Sequence, residues 1–410
     1  MKYDIGIVGA GMAGLSTALY ICSRTDATVL MVDKKKIGDP TKSSPFTFPD
    51  IVENYNLQGA VIQGYTKFTF RSPQGVSSSF EFDKPAFVTF DYEKACDILL
   101  RRIKKEGNVE IYESISVLSF ELGKPSNNKG NRILMLEDGT KSSVDVLVDS
   151  SGSAFLGAET LGQQLPPLYS HAYGEVLRGC SVEDPSEMHI LSGRKYGNGG
   201  GWFYPMDTQT ARYGFATVTR SRHYPKKIVK ANFGRACKDF SPYSEMVQDA
   251  ETLRPEFGTI PIGPLKNFVF DRLLIVGDAA GQATPWYCEG IRPALEGGKI
   301  CGKVIARAYE QRDYSRKVLG EYQREWDALN RYRYSMAMRR STFQWFRRQE
   351  FWDSGVKKTA LFEPSELIST IRYGERSGIA RPAFFPLLIR DFSYNIRCLI
   401  LQAIFGTTSA

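Results

Sequence analysis

The fold is decided by residues 3–33, which read YDIGIVGAGMAGLSTALYICSRTDATVLMVD. This stretch predicts a buried strand, a glycine turn, a helix and a second strand that ends in an acid. The turn has the spacing G-x-G-x-x-G, in which the first glycine makes the turn, the second admits a pyrophosphate and the third lets helix and strand pack closely. The amino end of the helix offers N–H groups and a positive dipole end to phosphates. The segment therefore predicts dinucleotide binding.

Six residues of this segment and the lysine that follows it are predicted to contact the dinucleotide. Asp33 closes the second strand, about 20 residues after the glycines, where its carboxylate can accept hydrogen bonds from a ribose hydroxyl. Lys34 begins the run Lys34–Lys36, which either holds a 2′-phosphate, as in NADP, or forms a solvated loop. We favour the loop because Asp33 would repel that phosphate. The predicted contacts are Gly9, Gly11, Met12, Ala13, Gly14, Asp33 and Lys34.

The composition excludes several classes of protein. Of 410 residues, 42% are hydrophobic, enough apolar material to form a core, so disorder is excluded for most of the chain. The seven cysteines include no C-x-x-C pair, which argues against a disulfide framework and against a metal site. No stretch reaches the roughly 18 apolar residues of a spanning helix, and the amino terminus leaves no room for a signal peptide. We therefore expect a cytoplasmic protein.

Two later segments also run from a strand into a polar glycine turn. Residues 144–153 read VDVLVDSSGS, and residues 273–281 read LLIVGDAAG. The second continues through residues 282–291, QATPWYCEGI, into a helical pattern that extends to about Gln311. No second G-x-G-x-x-G joins a strand to a helix, so we expect no separate nicotinamide domain. Electrons would come from NAD(P)H that visits the site or from a small electron carrier.

On these segments the chain resembles the geranylgeranyl reductase family of FAD-dependent oxidoreductases, which have a hydroxybenzoate-hydroxylase-type fold. The resemblance rests on the first glycine turn, the turn after residue 148 and the segment 277–298, and it covers most of residues 1–310. It implies FAD as the cofactor. The further cofactor contacts that it implies are Asp149, Gly152, Gly277, Asp278, Pro285, Gly290 and Ile291.

The chemistry of the segment 277–298 also suits a flavin site. Asp278, which closes a strand, can accept hydrogen bonds from a ribityl hydroxyl. The helix that starts at Gly290 and Ile291 directs its positive end at the flavin pyrimidine, where negative charge collects on reduction.

A substrate-binding sheet is expected in residues 156–255, where apolar and polar residues alternate. Trp202, Tyr204 and Pro205 match three positions of a Y-x-W-x-F-P-like motif of the reductase family, and Gly200 stands where the tyrosine would be. Aromatic residues on such a strand either wall a tunnel for a hydrophobic substrate or simply pack in the core. The predicted substrate contacts are Trp202, Tyr204, Pro205, Trp286 and Tyr287.

Hydride transfer from reduced flavin N5 to a C=C bond also needs a proton donor. The candidates are Cys288, Tyr204 and Glu289. Cys288 lies where the family usually has glycine and can equally be a small apolar filler. The family also carries an arginine beside the flavin where this chain has Tyr92.

The carboxyl-terminal third is rich in arginines and aromatic residues. Residues 331–352, RYRYSMAMRRSTFQWFRRQEFW, hold six arginines and one acid, and residues 383–405 are apolar but interrupted by charges. These segments either lie on an anionic membrane surface, cap the substrate tunnel or pack on the FAD domain. The excess of 53 Lys and Arg over 45 Asp and Glu, a net charge of +8, is assigned to this region. We do not expect nucleic acid as a partner.

The sequence thus predicts an α/β (overall α+β) flavoprotein in three parts. These are a discontinuous Rossmann-like FAD domain (1–155 and 256–330), an antiparallel-sheet substrate domain (156–255) with a contribution from 40–90, and a helical region (331–410). The expected function is reduction of C=C bonds in a prenyl or related hydrophobic substrate, on the inner face of a membrane. The alternatives are a flavin monooxygenase or halogenase of the same fold and a lycopene-cyclase-like enzyme without net redox change. An electron-carrier protein is an expected partner.

Overall fold

The computed structural model describes residues 1–40, 45–121 and 132–373. Its strands are β1 (Lys2–Val8), β2 (Val29–Asp33), β3 (Phe46–Thr47), β4 (Val61–Tyr65), β5 (Lys67–Arg71), β6 (Ser77–Glu81), β7 (Phe87–Phe90), β8 (Val109–Glu113), β9 (Val117–Glu121), β10 (Arg132–Leu136), β11 (Lys141–Asp149), β12 (Leu168–Arg178), β13 (Glu187–Leu191), β14 (Gly201–Pro205), β15 (Thr210–Thr219), β16 (Glu251–Ile262), β17 (Val269–Phe270) and β18 (Leu273–Ile275). Its helices are α1 (Met12–Cys22), α2 (Pro49–Asn54), α3 (Tyr92–Glu106), α4 (Leu156–Thr160), α5 (Lys226–Asp239), α6 (Tyr243–Met246), α7 (Ile291–Gln311), α8 (Arg316–Leu319), α9 (Glu321–Trp345), α10 (Gln349–Thr359) and α11 (Pro364–Tyr373).

The first sheet is the Rossmann-like one. Its strands run in the order β17-β18-β11-β1-β2-β8, and β1 pairs in parallel with β11 and β2. β9 and β10 add an antiparallel extension through β11. The central strands are buried because helices cover them, as is usual for parallel strands. Their carboxyl ends, at Val8, Asp33 and Asp149, lie at one edge of the sheet.

Helix α7 is held against α1 by close backbone contact. A Cβ on Gly298 would lie 2.5 Å from the Ala13 carbonyl oxygen, and one on Gly302 would lie 2.6 Å from that of Thr17. The Ser16 hydroxyl also donates to the Leu295 carbonyl at 2.7 Å. These contacts set the amino end of α7 beside the glycine turn that precedes α1.

The second large sheet has seven strands in the order β16-β12-β15-β14-β13-β5-β6. All its pairings are antiparallel except that of β13 with β5. Strands β5 and β6 come from the segment 40–90, which was expected to reach the substrate side. Strand β16 crosses the boundary predicted at 255 and 256, so this sheet extends to Ile262 rather than ending at 255. The boundary was misplaced because nothing in a strand's own sequence says which sheet it joins.

A small three-stranded sheet, β3-β7-β4, lies beside the cavity described below. Its aromatic residues pack on those of β5, with the rings of Phe68 and Phe87 4.9 Å apart. The Tyr65 hydroxyl donates to the Pro205 carbonyl at 2.7 Å. The small sheet is therefore tied to β14.

The carboxyl-terminal helices α9–α11 pack on both sheets. Tyr334 is buried and its hydroxyl donates to the Gln282 carbonyl at 2.9 Å. Trp345 and Trp352 are buried in a cluster with residues of the seven-stranded sheet, whereas Phe346 is 45% exposed. The buried aromatic residues of 331–352 thus pack both on the seven-stranded sheet and on the segment at Gln282 that follows β18. Residues 374–410, which include the apolar segment 383–405, lie outside the described residues.

Within the described residues, no helix combines the length and the apolar character needed to cross a membrane.

Candidate cofactor and active site

A cavity of about 590 Å³ lies between the two large sheets. One side is formed by the carboxyl ends of the parallel strands and the turns that follow them. The other side is formed by the aromatic face of the seven-stranded sheet, and α9 and α10 close it. The predicted site residues that line it are Gly9, Gly11, Met12, Ala13, Asp33, Lys34, Gly152, Trp202, Tyr204, Asp278, Trp286, Tyr287, Cys288, Glu289, Gly290 and Ile291.

The three glycines of the first turn have different physical roles. A Cβ on Gly9 would lie 2.3 Å from the Ser150 carbonyl oxygen, and Gly9 has φ +93°. A Cβ on Gly14 would lie 2.0 Å from the Gly9 carbonyl oxygen. The protein itself therefore requires both glycines. A Cβ on Gly11 would meet only the Tyr92 hydroxyl, at an ordinary 3.5 Å, so protein packing does not require this glycine.

Gly11 instead leaves the backbone bare where it faces the cavity. A bare backbone at the amino end of a helix suits a phosphate group that approaches closely. Gly14 does not line the cavity but supports the turn from behind. This division of roles fits a dinucleotide pyrophosphate.

Asp33 is held in place by backbone groups on both sides. Its Oδ2 accepts from the Ala10 N–H at 2.7 Å and its Oδ1 accepts from the Lys35 N–H at 2.8 Å. Each carboxylate oxygen has a second lone pair for a further donor. The geometry therefore suits the predicted contact with a ribose hydroxyl. Lys34 lines the cavity beside it.

Asp149, expected at the cofactor, lies behind the turn and does not line the cavity. It is completely buried, and its carboxylate accepts from the Ser151 N–H at 2.9 Å and the Gly157 N–H at 2.6 Å. Burial raises the pKa of this carboxyl, although the hydrogen bonds oppose the shift. Asp149 thus shapes the turn that presents Gly152, with φ +66°, to the cavity.

The third segment places Asp278 on the cavity wall beside the amino end of α7. Gly277 has φ +69°, and its N–H donates to Gln282 Oε1 at 2.7 Å, which holds the turn closed. A Cβ on Gly290 would lie 3.5 Å from Asp278 Oδ1. Asp278 and the start of α7 therefore face the same ligand position. Gly277, Pro285 and Pro205, also predicted contacts, form the turn and strand behind the wall and do not line it.

The amino end of α7 directs its first amide groups toward the cavity. Gly290 is the N-cap and lines the cavity together with Ile291. Amides of the first helical turn lack partners within the helix. The Arg292 N–H is satisfied by Glu289 Oε1 at 2.7 Å, so the carboxylate caps the helix.

Glu289 forms a buried pair with Arg292. The two side chains are about 1% exposed or less, with 3.5 Å between Glu289 Oε2 and Arg292 Nε. The guanidinium also donates to Glu296 and to the Arg372 carbonyl, each at 2.7 Å, which joins α11 to the start of α7. Burial raises the pKa of Glu289 to about 7, and Arg292 opposes the shift. The carboxyl is thus able to hold a proton near neutral pH.

Cys288 and Tyr204 are poorer acids than Glu289. Burial raises the pKa of the Cys288 thiol to about 12, and it raises the pKa of the buried Tyr204 hydroxyl still further above its usual range. Cys288 has φ +54°. Such a backbone favours glycine, which is the residue that the resemblance to the reductase family implies at this position. Both residues line the cavity, Cys288 immediately before Glu289 in the chain and Tyr204 on strand β14.

The aromatic wall is built on β14 and its neighbours. The Trp202 and Tyr204 rings are 6.5 Å apart, and Phe46 meets Tyr204 edge-on at 5.9 Å. Tyr287 lies 6.4 Å from Phe70 and 6.2 Å from Trp286. The predicted aromatic contacts therefore line one cavity. It suits a hydrophobic ligand with few polar groups.

Several cavity residues were not predicted. Tyr92 lines the cavity at the start of α3, where the departure from the family arginine was the available signal. Trp345, Trp352 and Val356 close the cavity from α9 and α10. They were read only as part of a basic aromatic segment, since no local motif shows which face of a helix meets a cavity.

Comparison with known proteins agrees with this architecture. The sequence model described as "Lycopene cyclase protein" matches residues 4–363. The chain belongs to this lycopene cyclase family. Curated relatives include a digeranylgeranylglycerophospholipid reductase of Methanocaldococcus jannaschii, 26% identical over 348 residues, which cover 82% of this chain and 84% of the relative. A second protein of that name, from Methanopyrus kandleri, is 24% identical and covers 80% of this chain and 83% of the relative.

Solved structures share the fold. A geranylgeranyl bacteriochlorophyll reductase-like protein from Thermoplasma acidophilum superposes with a TM-score of 0.78 at 15% identity, covering 91% of this chain and 97% of that one. A flavin-dependent brominase superposes with a TM-score of 0.72 at 17% identity, covering 96% and 100%. The predicted α/β fold and the predicted relation to geranylgeranyl reductases are confirmed. The description of the matching family model, lycopene cyclase, is also that of one of the alternatives considered.

Proposed function

We propose that this protein is an FAD-dependent reductase that saturates C=C bonds in the prenyl chain of a lipid. The observation that carries the proposal is that the glycine turns of a dinucleotide fold and an aromatic wall face each other across the cavity of about 590 Å³. The names of the curated relatives, digeranylgeranylglycerophospholipid reductases, support the same substrate class.

The residues that would hold FAD follow the three turns. Gly11 and the first amides of α1 would receive the pyrophosphate, and Asp33 would receive a ribose hydroxyl. Asp278 would accept from the ribityl chain. The amides at Gly290 and Ile291 would face the flavin pyrimidine. When bound, FAD supplies the hydride.

Saturation of a double bond adds a hydride to one carbon and a proton to the other. Among the cavity residues, Glu289 is the best-suited proton donor because burial raises its pKa to about 7. Glu289 also lines the cavity, immediately before the start of α7. Arg292 orients the carboxyl through its N–H, so Arg292 is a positioning residue.

The aromatic wall would hold the prenyl chain and exclude water. Trp202, Tyr204, Trp286 and Tyr287 offer flat apolar faces to an extended hydrocarbon. Such contacts position a chain without polar groups of its own. Each turnover consumes two electrons, which we assign to NAD(P)H or to a small electron-carrier protein.

A lipid substrate also suggests peripheral association with the inner face of a membrane. Arg347 and Arg348 lie in the turn between α9 and α10, and Arg348 is exposed. Basic residues beside exposed aromatic ones, such as Phe346, favour an anionic headgroup region.

The test is reduction of a prenyl lipid by the purified protein. The protein should carry FAD, which denaturation releases. Anaerobic reduction followed by addition of geranylgeranyl diphosphate should return the oxidised flavin spectrum, and mass spectrometry should find two added hydrogens per reduced bond. Protein that binds no FAD would overturn the proposal.

A lycopene-cyclase-like reaction is the second candidate, because the matching family model bears that description. It would rearrange a polyene without a change in mass. A monooxygenase or halogenase would instead consume O₂ and add oxygen or halogen. The product mass separates all three reactions.

A further inference from the structure

Two exposed arginines belong to neighbouring segments where the seven-stranded sheet meets the carboxyl-terminal helices. Arg194 belongs to the loop between β13 and β14, and Arg348 is the N-cap of α10. The Arg194 guanidinium donates to the Arg347 carbonyl at 3.1 Å, and its backbone N–H donates to Gln349 Oε1 at 2.8 Å. The loop that carries Arg194 and the turn that carries Arg348 are thus bound to each other.

We infer that Arg194 and Arg348 bind the phosphate group of a lipid whose hydrocarbon chain occupies the cavity. This inference rests on the proposed function and specifies the polar end of its substrate. We call the pair of side chains the arginine rim.

The arginine rim lies at the border between cavity and solvent. Ser192, two residues before Arg194, lines the cavity, as do Trp345 and Trp352 on either side of the α9–α10 turn. Arg194 and Arg348 themselves are exposed. A chain bound along the aromatic wall could therefore place its head group at this border.

The chemistry of the rim suits a phosphate. A guanidinium has five N–H donors in a planar fork that matches phosphate oxygens, and Arg194 uses one of them within the described residues. The amino end of α10 adds N–H groups of its own. Trp352, which lines the cavity, has a buried Nε1 without a hydrogen-bond partner in the described structure, so it also has a free donor.

The neighbouring charges leave the two guanidinium groups available. Lys195, the next residue of the loop, pairs with Asp239 at 3.0 Å. The carboxylate of Asp353 accepts from Gln349 Nε2 at 3.1 Å. Glu350, in the first turn of α10, is exposed and reduces the local positive charge without cancelling it.

The experiment compares a charged and a neutral prenyl ligand of equal chain length. Holoprotein is titrated with geranylgeranyl diphosphate or geranylgeraniol, and binding is followed by the fluorescence of tryptophans such as Trp345 and Trp352, which line the cavity. The variant is Arg194→Gln/Arg348→Gln. Lys195→Gln is the matched control, since it removes one charge from the same loop at a residue already paired.

We expect the wild type and the control to bind the diphosphate at least about tenfold more tightly than the alcohol, because charge-assisted hydrogen bonds are the strong ones. The double variant should lose this preference and keep its affinity for the alcohol and its FAD content. Unchanged discrimination in the double variant would overturn the inference. Equal loss for both ligands would also overturn it, since that would show a packing role.

Two further measurements distinguish the phosphate of a bound prenyl lipid from a free anion and from a membrane surface. Inorganic pyrophosphate alone should bind far more weakly than the prenyl diphosphate, and equal affinity would mean a free-anion site instead. A double variant that loses association with phosphatidylglycerol vesicles but still discriminates the two prenyl ligands would overturn the inference and leave Arg348 only the membrane role described above. Because these readouts measure binding, failure of the proposed reduction would appear separately, as ligand binding without flavin reoxidation.

Discussion

The indole of Trp202 lies directly over Gly214, its register partner on the adjacent strand. A Cβ on Gly214 would come within 2.3 Å of Trp202 Cζ2, and one on Gly174, the partner of Gly214 on β12, would come within 3.0 Å of the same atom. The two glycines thus form a flat floor under the ring. Any side chain at Gly214 would push the indole toward the cavity.

Gly214→Ala should therefore damage the aromatic wall. The indole must move, and we expect binding of a prenyl ligand to weaken by about tenfold and the free energy of unfolding to fall by about 1–3 kcal/mol, as for other overpacked sites. Ligand titration and thermal unfolding of the purified variant measure the two effects.

Gly234→Ala provides the control for that substitution. Gly234 lies within α5, where a Cβ would meet nothing within 4 Å. Alanine there should stabilise the protein by about 0.5–1 kcal/mol because it favours the helix. Prenyl binding that falls equally in both variants would contradict the role assigned to Gly214.

The first turn makes a sharper prediction, since two of its glycines should behave differently. Gly11→Ala should leave the thermal stability of the FAD-free protein near that of the wild type, because the new methyl group meets only the Tyr92 hydroxyl at 3.5 Å. Its affinity for FAD should fall by more than about tenfold because the methyl group faces the pyrophosphate. Fluorescence titration with FAD measures the loss.

Gly14→Ala should instead prevent stable folding. Its methyl group would lie 2.0 Å from the Gly9 carbonyl oxygen, and neither backbone segment can yield at that distance.

Equal FAD affinity in Gly11→Ala and wild type would mean that the bare backbone at Gly11 does not face the cofactor.

How much of this could be predicted from the sequence depends on the range of each interaction. The turn at Gly9–Gly14 and the acid at Asp33 are local features, and their pattern predicts both the fold and the placement of these residues. The aromatic residues around Trp202 were also located on a strand. The two glycines under the Trp202 ring could not be predicted, because Gly174 and Gly214 meet only through the register of separate strands.

The placement of the carboxyl-terminal helices could not be predicted from the sequence. Aromatic residues and arginines are interspersed between residues 331 and 352, and this composition is equally compatible with a membrane surface and with a protein core. The burial of Trp345 and Trp352 arises from contact with Leu168, Val218 and Ile262, which are distant in the chain. A local pattern contains no information about such partners.

Asp149 and Asp278, each close to the end of a parallel strand, should respond differently to the loss of charge. The wild-type Asp149 carboxylate accepts hydrogen bonds from two backbone N–H groups. In Asp149→Asn the side-chain NH₂ group would face one of these N–H groups, so one hydrogen bond would be lost. The FAD-free protein should therefore lose about 1–3 kcal/mol of stability. Asp278→Asn, on the cavity wall, should mainly weaken FAD binding. Thermal unfolding and FAD titration separate the effects. Loss of FAD affinity in Asp149→Asn without loss of stability would contradict the supporting role of Asp149.

The pH dependence of reduction should reveal the proton donor. A carboxyl that donates a proton must be protonated, and burial raises the pKa of Glu289 to about 7, so the rate of prenyl reduction should fall as pH rises above about 7. Glu289→Gln cannot donate, so it should be slower by about 10²-fold or more, the range typical of general acids, and should lack this fall. Anaerobic flavin reoxidation between pH 5.5 and 9 measures both. Cys288→Ser and Tyr204→Phe should keep the fall near pH 7, because burial raises the pKa of both groups far above the pH range of the measurement. Disappearance of the fall in either variant would transfer the role from Glu289.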